Sequence, residues 1–242
     1  MQISSKTVHA PSKAGFWVPP LVLVAVLVAG LTIKATQFYR TEIQISQWLT
    51  SNQTPIPSAI SWLVAYGFAP LPAVIITLVI ALGIWVIRRT IAWLRFVVIT
   101  LFGWLGVAIV KPMVDRPRPD AAMLTDPIHP VTNMMSFPSG HTAFSVGLFS
   151  AIVLVLVSHH NRKIGFVIAG VGVVIVGFAR VYAGAHFPTD VLAGTIAGAA
   201  GVWFAVTAWE HWQAKNALEN RSNDEQNGKQ RAEIETLSSD SN

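Results

Sequence analysis

The sequence predicts an all-α membrane protein built as a bundle of six transmembrane helices. Apolar residues make up 52% of the 242 residues and charged residues only 12%, so a soluble domain would have too little polar surface to cover itself. Six apolar stretches, each close to the roughly 20 residues that cross a bilayer core, indicate the same fold. They are residues 16–33, 71–87, 91–110, 142–157, 164–179 and 191–209.

The distribution of lysine and arginine predicts how this bundle is oriented. Outside the motifs described below, these residues lie mainly beyond alternate ends of the apolar stretches, and only Lys34 and Arg40 lie at the opposite ends. The positive-inside rule makes the basic side cytoplasmic. We therefore expect both termini in the cytoplasm and the loops 34–70, 111–141 and 180–190 on the extracytoplasmic side. Because the basic residues form no single patch, the net charge of +5 does not indicate nucleic-acid binding.

The first apolar stretch has two interpretations. Lys6 and Lys13 followed by an apolar run and the small residues Ala29 and Gly30 resemble a signal peptide. We favour an uncleaved membrane anchor, which keeps six spans. Cleavage would leave five spans and would still keep the loops 111–141 and 180–190 on one side.

Two regions lie outside the apolar stretches. Region 34–70 predicts a short interfacial helix followed by a loop broken by Pro55 and Pro57, with Trp48 and Trp62 at headgroup depth. The chain beyond Trp212 is rich in Asn, Gln, Ser and mixed charges, which is typical of a disordered tail. We therefore predict a membrane domain over 1–212 and a polar cytoplasmic tail over 213–242.

Three short segments hold the residues whose side chains could bind a ligand or take part in catalysis. They are Lys111-x6-Arg118-Pro119, Pro138-Ser139-Gly140-His141 and Arg180-x5-His186-x3-Asp190. Three fixed cations can hold an oxyanion, two histidines can attack and protonate, and a carboxylate four residues after the second histidine can orient that ring. All three segments lie in or beside the loops expected on the extracytoplasmic side. Together they predict a phosphate pocket.

Each segment alone has an ordinary explanation. Lys111 and Arg116 can be interfacial anchors, Ser139 and Gly140 can begin a helix, and Asp190 can cap one. The conjunction favours a shared anionic ligand, because ionisable groups bordering a membrane core cost about 2 to 3 kcal/mol each when unpaired. Arg116 is a further cation that could replace one of the three cations expected to bind the phosphate. The other histidines are interpreted as structural: His9, His129, His159, His160 and His211.

The segments resemble the signature of the type 2 phosphatidic acid phosphatase superfamily, the integral-membrane lipid phosphate phosphatases. The family pattern is Lys-x6-Arg-Pro, Pro-Ser-Gly-His and Ser-Arg-x5-His-x3-Asp. This chain reproduces it from Lys111 to Asp190 with one departure, Ala179 in place of the serine before Arg180. That departure removes one hydroxyl that could hydrogen-bond the phosphate or its surroundings.

The resemblance implies a role for each motif residue. His186 is similar to the nucleophile that becomes a phosphohistidine, Asp190 to the residue that orients it, and His141 to the general acid that later activates water. The residues that resemble the phosphate cradle are Lys111, Arg118, Ser139, Gly140 and Arg180. The resemblance implies no metal and no other cofactor, because fixed cations neutralise the phosphoryl charge.

The resemblance leaves the substrate and some alternatives open. We expect hydrolysis of a lipid phosphomonoester or diphosphate, with undecaprenyl diphosphate ahead of phosphatidylglycerol phosphate because the site is expected to face outward. Met134, Met135 and Phe137 are expected to line the entrance for the lipid tail.

The alternatives are a lipid-to-lipid phosphotransferase and a non-catalytic lipid-phosphate binding or transport protein. A soluble vanadium haloperoxidase shares the pocket residues but needs no apolar spans. The oligomeric state is not predicted by the sequence.

Overall fold

The structure, a computed structural model, describes residues 14–128 and 135–239, with side chains as far as residue 230. Over these residues the chain forms eight α-helices and two short 3-10 turns, and its one β-bridge joins Pro117 to Met135. The predicted all-α class is confirmed. The helices are α1 (Ala14–Ala35), α2 (Tyr39–Ser51), α3 (Pro55–Gly67), α4 (Pro70–Arg88), α5 (Ala92–Val114), α6 (Gly140–Leu156), α7 (Arg162–Tyr182) and α8 (Pro188–Ser239).

Five of these helices are long and apolar enough to cross a membrane: α1, α4, α5, α7 and α8. The remaining apolar stretch forms α6, which has 17 residues and is therefore about 25 Å long at 1.5 Å per residue. α6 packs against α5, α7 and α8 and buries residues on all sides of its first half. The sixth span therefore stays a prediction, carried by the shortest and most enclosed of the apolar helices.

Glycines allow α5, α6 and α8 to approach one another closely. A Cβ atom on Gly103 of α5 would lie 2.5 Å from the Cα of Gly147 on α6. A Cβ atom on Gly201 of α8 would lie 2.0 Å from the carbonyl oxygen of Phe102 on α5. Helices in a bilayer gain little from the hydrophobic effect between them, so close van der Waals packing at small residues holds them together.

α1 packs as a member of this bundle. Gly15 lies against Thr207 of α8, and Leu23 lies against Gly106 of α5. Near the other end of α1, Gly30 lies against the ring of Phe137, which precedes α6. These contacts along the whole helix favour the membrane-anchor interpretation, which stays a prediction.

The region between the first two spans differs from the prediction. A loop was expected at Pro55 and Pro57, but both prolines lie in the first turn of α3. The structure is physically reasonable because proline has no N–H to lose at the first helical positions, and its fixed φ suits them. The start of α3 is joined to the end of α7, because the backbone N–H of Thr54 donates to the Tyr182 hydroxyl at 2.6 Å.

Trp48 on α2 and Trp62 on α3 are both on the surface. Their side chains are 66% and 43% exposed. Exposed tryptophans are expected at a membrane–water boundary, where one side of the ring is apolar and its N–H can reach water. Their depth in the headgroup region stays a prediction.

The tail also differs from the expectation of disorder over 213–242. The structure continues α8 through Ser239. Helix-favouring Ala, Glu, Gln, Lys and Arg are frequent beyond Trp212, and the sequence has no proline after Pro188. Lys215 and Glu219 form an i,i+4 pair at 3.8 Å on this part of the helix. The division of the chain at residue 212 stays a prediction.

We predict that Gly201→Ala destabilises the bundle. The added methyl group meets a backbone oxygen that cannot rotate away, so α5 and α8 must separate, at a cost of about 1 to 3 kcal/mol. The measurement is the melting temperature of the purified protein in detergent. Gly83→Ala on α4 is the matched control, since nothing lies within 4 Å of its added Cβ. Equal melting temperatures for the two variants would contradict the close approach.

Candidate active site

The three motif segments converge at one end of the bundle. Lys111 lies in the last turn of α5, Ser139 caps α6, Arg180 lies in the last turn of α7 and Asp190 lies in the first turn of α8. The α6 start is joined directly to the α8 start, because the Ser139 N–H donates to the Asp190 carbonyl oxygen at 2.8 Å. Ends of four helices that are far apart in sequence therefore form one polar site.

His186 lies in the tight turn between α7 and α8, with 1% of its side chain exposed. Arg118 Nη1 lies 3.0 Å from His186 Nε2 and also donates to the Ala185 carbonyl oxygen at 2.6 Å. A guanidinium group has donors and no acceptor. His186 Nε2 must therefore be the unprotonated nitrogen, and the proton of the neutral ring lies on Nδ1.

The electrostatic surroundings keep this ring neutral. Burial lowers the pKa of His186 well below its usual value, and the charges of Arg118, Lys111 and Arg180 lower it further. Burial also lowers the pKa of Arg118 to about 10, against the opposing effect of Asp190. At neutral pH the site thus combines an unprotonated Nε2 with a charged guanidinium beside it.

Arg180 is a buried cation with unused donors. Its side chain is 4% exposed, and within the described part of the chain its Nε and Nη1 atoms have no hydrogen-bond partner. A buried donor without a partner costs about 1 to 3 kcal/mol, and more when it is charged. An anion bound beside Arg180 would supply the missing acceptors.

Lys111 and the start of α6 complete the predicted cradle. Lys111 Nζ donates to the carbonyl oxygens of Met135 at 3.0 Å and Ser136 at 3.4 Å, which fixes the segment leading into α6. Ser139 is the N-cap residue of α6, and its hydroxyl oxygen accepts from the Thr142 N–H at 3.5 Å. Gly140 follows as the first helical residue, where backbone N–H groups without intrahelical acceptors favour an anion.

His141 lies in the first turn of α6 and is half-buried. Its Nε2 lies 3.3 Å from the carbonyl oxygen of Ala65 on α3. The ring therefore borders α3. Its role as the general acid stays a prediction.

Arg116 does not serve as a spare clamp. It is 2% exposed, and its guanidinium donates to Glu42 Oε2 and Asp190 Oδ1, both at 2.7 Å. It also donates to the Thr189 hydroxyl at 2.8 Å and lies over the Phe187 ring at 4.3 Å. These contacts are all with side chains of the protein, so Arg116 supports the carboxylate of Asp190 instead of facing a ligand.

The contact between Asp190 and His186 is not direct. Asp190 Oδ2 lies 3.6 Å from His186 Nδ1, which is too long for a hydrogen bond. The hydroxyl of Ser136 hydrogen-bonds Asp190 Oδ2 and lies 3.4 Å from His186 Nδ1. Asp190 therefore does not reach His186 directly, and the Ser136 hydroxyl lies between the two groups; the orienting role of Asp190 stays a prediction.

Several other expectations change with the structure. Phe137 is 1% exposed and packs with Val26, Val110 and Val114 in the core, so it cannot line an entrance for a lipid tail. Met135 is partly buried beside Lys111, and Met134 lies outside the described residues. Ala179, where the family has serine, is buried in an apolar cluster with Val64 and Val176.

The histidines interpreted as structural remain apart from the site where they are described. His159, His160 and His211 are exposed, and His211 makes an edge contact with the Phe16 ring at 5.6 Å. His9 and His129 lie outside the described residues.

Sequence reasoning missed Glu42 and Ser136. Glu42 lies on α2, 74 residues before the arginine it pairs with, so no local spacing connected them. A carboxylate in a segment otherwise lacking acidic residues was its only signal. Ser136 lies two residues before the Pro138-Ser139-Gly140-His141 segment, and nothing in the sequence distinguished it from an ordinary loop serine.

The fold and the site define an α-helical membrane protein with a cationic, histidine-containing pocket at the helix ends. The chain belongs to the PAP2 superfamily, whose family model matches residues 91–214, just over half of the chain. The resemblance seen in the motif segments is confirmed by this match.

Curated relatives are similar to this chain over about half of its length. Phosphatidylglycerophosphatase B of Bacillus subtilis (strain 168) is 37% identical over 131 residues, which are 51% of this chain and 60% of the relative. Undecaprenyl-diphosphatase BcrC of the same strain is 28% identical over 127 residues, 51% of this chain and 63% of the relative. A lipid A 1-phosphatase of Rhizobium johnstonii is 32% identical over 120 residues, 48% and 45% of the two chains. The matches thus cover less than two thirds of each relative.

Solved structures extend the similarity to more of the fold. The PAP2-type transmembrane phosphatidylglycerolphosphate phosphatase of Bacillus subtilis superposes with a TM-score of 0.65 at 25% identity, over 78% of this chain and 94% of that one. LpxE of Aquifex aeolicus superposes with a TM-score of 0.53 at 21% identity, over 69% and 94%, and indicates the fold alone.

We predict that Arg116→Ala destabilises the protein strongly. Removing the guanidinium leaves the carboxylates of Glu42 and Asp190 buried without their cation, which costs about 3 to 5 kcal/mol. Thermal unfolding in detergent measures the effect. Arg40→Ala is the control, because Arg40 is exposed and such surface changes stay within about 0.5 kcal/mol. A decrease in melting temperature for Arg116→Ala no larger than that for Arg40→Ala would show that the network contributes nothing to stability.

Proposed function

We propose that this protein is a membrane phosphatase that removes phosphate from a lipid, through a phosphohistidine on His186. The observation that carries this proposal is the buried guanidinium of Arg180, whose Nε and Nη1 have no partner among the described residues, in the same site as a neutral His186. A cation that needs an anionic ligand and an imidazole that can attack it are the two requirements of histidine-mediated phosphoryl transfer.

The charge of the site suits a phosphate group. Four cations and two carboxylates leave a net charge of +2 when the histidines are neutral. The negative charge of Asp190 is directed at Arg116, which leaves the other three cations for the ligand. The four cations are Lys111, Arg116, Arg118 and Arg180, and the carboxylates belong to Glu42 and Asp190. A phosphate dianion would balance this excess without a metal ion, and we expect activity to need none.

The first chemical step uses the lone pair on His186 Nε2. That atom attacks phosphorus, a bond from Nε2 to phosphorus forms, and the bond from phosphorus to the leaving oxygen breaks. His141, which takes up a proton when the phosphate dianion binds, donates that proton to the leaving oxygen, and the leaving group departs as an alcohol or, from a diphosphate, as the lipid monophosphate. Arg118, which donates to Nε2 in the structure, turns to the phosphoryl oxygens as the nitrogen becomes engaged.

The second step releases phosphate. His141, now unprotonated, takes a proton from a water molecule, and the oxygen of that water attacks phosphorus. The bond from Nε2 to phosphorus breaks, so that inorganic phosphate leaves and both histidines return to their starting states. Lys111, Arg118 and Arg180 stabilise the transferring group throughout by charge and by fixed hydrogen-bond donors.

An apolar cavity beside the site fits the tails of a lipid. Its volume is about 820 Å³, and it lies between α2, α6, α7 and α8. Val181 and Pro188 line it and are close in sequence to Arg180 and His186. Leu49 lines it from α2, and Phe166 and Ala169 line it farther along α7. We propose this cavity for the tail, in place of the entrance expected at Met134, Met135 and Phe137.

We further propose that the site faces the extracytoplasmic side and that α6 is the sixth span. The basic residues expected in the cytoplasm flank the end of α6 opposite Gly140. Arg88 donates to the Val155 carbonyl oxygen at 2.8 Å, and Arg162 donates to that of Leu154 at 2.9 Å. The phosphate site lies at the other end of the same helix, as the positive-inside rule requires.

Two lipids are the substrates to compare. Similarity favours phosphatidylglycerol phosphate, since the relative named for that activity is 37% identical and the one named for undecaprenyl diphosphate is 28% identical. The proposed outward orientation favours undecaprenyl diphosphate. We rank phosphatidylglycerol phosphate first, because the identity and the solved structure agree and the orientation is itself a proposal.

The test is phosphate release by the purified protein in detergent with EDTA present. Each lipid is offered separately, and wild type is compared with His186→Ala, Asp190→Asn and His141→Ala. We expect wild type to release phosphate without metal, His186→Ala and Asp190→Asn to release almost none, and His141→Ala to be slower by about 10² to 10⁴. The faster lipid identifies the preferred substrate.

Other results of this assay would contradict the proposal. Full activity in His186→Ala would exclude a phosphohistidine intermediate on His186. Loss of activity with EDTA, restored by a divalent cation, would exclude a metal-independent mechanism. Phosphate appearing on a second lipid supplied as acceptor, with none released, would identify the phosphotransferase instead.

The cavity makes a separate prediction. Ala169→Trp should fill part of it and raise KM for the long-chain lipid several-fold, while turnover of p-nitrophenyl phosphate stays near that of wild type. The reason is that the added ring occupies the space proposed for the tail and leaves the phosphate pocket intact. Val79→Trp on the exposed face of α4 is the control for a bulky residue at the lipid surface. Equal KM values for the lipid in the two variants would exclude this cavity as the tail site.

A further inference from the structure

We infer that Ser136 is a positioning residue that connects Asp190 to His186. This inference deepens the proposed function and rests on it. Ser136 lies between the two groups: its hydroxyl hydrogen-bonds Asp190 Oδ2 and lies 3.4 Å from His186 Nδ1, while the carboxylate and the ring are 3.6 Å apart. All three side chains are buried, with at most 1% exposed, so bulk water does not compete for these contacts.

The direction of the hydrogen bonds follows from the donors available. Arg118 can only donate, so His186 Nε2 accepts and Nδ1 carries the ring proton. The Ser136 hydroxyl has a single proton, and a carboxylate can only accept it. The Ser136 hydroxyl therefore donates to Asp190, and its oxygen receives the Nδ1–H of His186. One chain of donors leads from the ring through Ser136 to the carboxylate.

The carboxylate of Asp190 is held on both oxygens. Arg116 donates to Oδ1 at 2.7 Å, and the backbone N–H of Phe187 donates to Oδ2 at 2.8 Å. Glu42 holds Arg116 from the other side. Moving Asp190 toward His186 to make a direct bond would disturb these contacts, which is why a bridging hydroxyl is needed.

Ser136 itself is fixed from three directions. Its backbone N–H donates to the Arg116 carbonyl oxygen at 2.7 Å, and its carbonyl oxygen accepts from Lys111 Nζ at 3.4 Å. The next residue, Phe137, is anchored in the core against Gly30 of α1. The hydroxyl is thus held in place by the same segments that carry the cations.

This arrangement supports the attack by His186. When Nε2 bonds to phosphorus, the ring gains positive charge and its Nδ1–H becomes a stronger donor. The bond to Ser136, strengthened by the negative charge of Asp190 behind it, stabilises that charge. It also orients the ring, whose tautomer is set by Arg118, so that the lone pair on Nε2 faces the ligand.

Two measurements test the inference, and one of them needs no turnover. Ser136→Ala should lower kcat by about 10- to 100-fold, which is the usual effect of losing a hydrogen bond that orients a functional histidine. KM and melting temperature should stay close to wild type. Ser136→Thr, which keeps the hydroxyl, should recover most of the lost kcat. Ser61→Ala is the control, since Ser61 is a buried serine whose hydroxyl has no partner among the described residues.

The second measurement is ¹⁵N NMR of the full-length protein with labelled histidine. The chain has seven histidines, and His186→Ala identifies the signal of His186. We expect wild type to show the tautomer protonated at Nδ1, and Ser136→Ala to keep that tautomer, because Arg118 still donates to Nε2, but to shift the Nδ1 signal as its hydrogen bond is lost. The control Ser61→Ala should leave it unchanged.

The outcomes separate this inference from the proposed function. An unchanged Nδ1 signal in Ser136→Ala, or an unchanged kcat, would overturn the role of Ser136 and leave a direct action of Asp190 on His186. A wild type that releases no phosphate from any lipid would refute the proposed function. In that case the Nδ1 signal alone decides whether Ser136 links Asp190 to His186.

Discussion

The architecture of the site depends on one buried cation. Arg116 joins Glu42 on α2 to Asp190 on α8 and lies over Phe187 in the turn between α7 and α8. Its guanidinium offers several donors in fixed directions, so it can hold two carboxylates and a hydroxyl at once. A buried ion pair contributes little net stability relative to apolar side chains, but losing one partner is costly. The network therefore specifies where Asp190 lies, and it makes α2 part of the site.

Arg116 and Arg118 are two residues apart and have opposite roles. Arg116 is enclosed by carboxylates, and Arg118 contacts the nitrogen that we propose as the nucleophile. One cation builds the site and the other is available to a ligand, a distinction that residue type alone does not make.

The bundle and the site place different demands on the same helices. α5, α6 and α8 approach closely at glycines because apolar helices in a bilayer are held by packing. Their polar residues lie at the ends, where backbone groups without helical partners and side-chain donors can meet an anion. An apolar cavity lies along α7 and α8, and Val181 and Pro188, which line it, are close in sequence to Arg180 and His186. The lipid phosphate that we propose as substrate has a charged head and apolar tails that match these two parts.

The all-α class, the positions of the apolar helices and the three motif segments could all be predicted from the sequence. Those features depend on local composition, on spacing and on residue types with few chemical uses, such as His186 and Arg180. Sequence reasoning missed the helix that begins at Pro55 and the helical course of the tail, because proline at a helix start and polar residues in a solvated helix look like loop. Tertiary packing was needed to place Arg118 against His186, to bring Glu42 to Arg116, and to put Ser136 between Asp190 and His186. These contacts join segments separated by 50 or more residues, and their geometry exists only after the helices have packed.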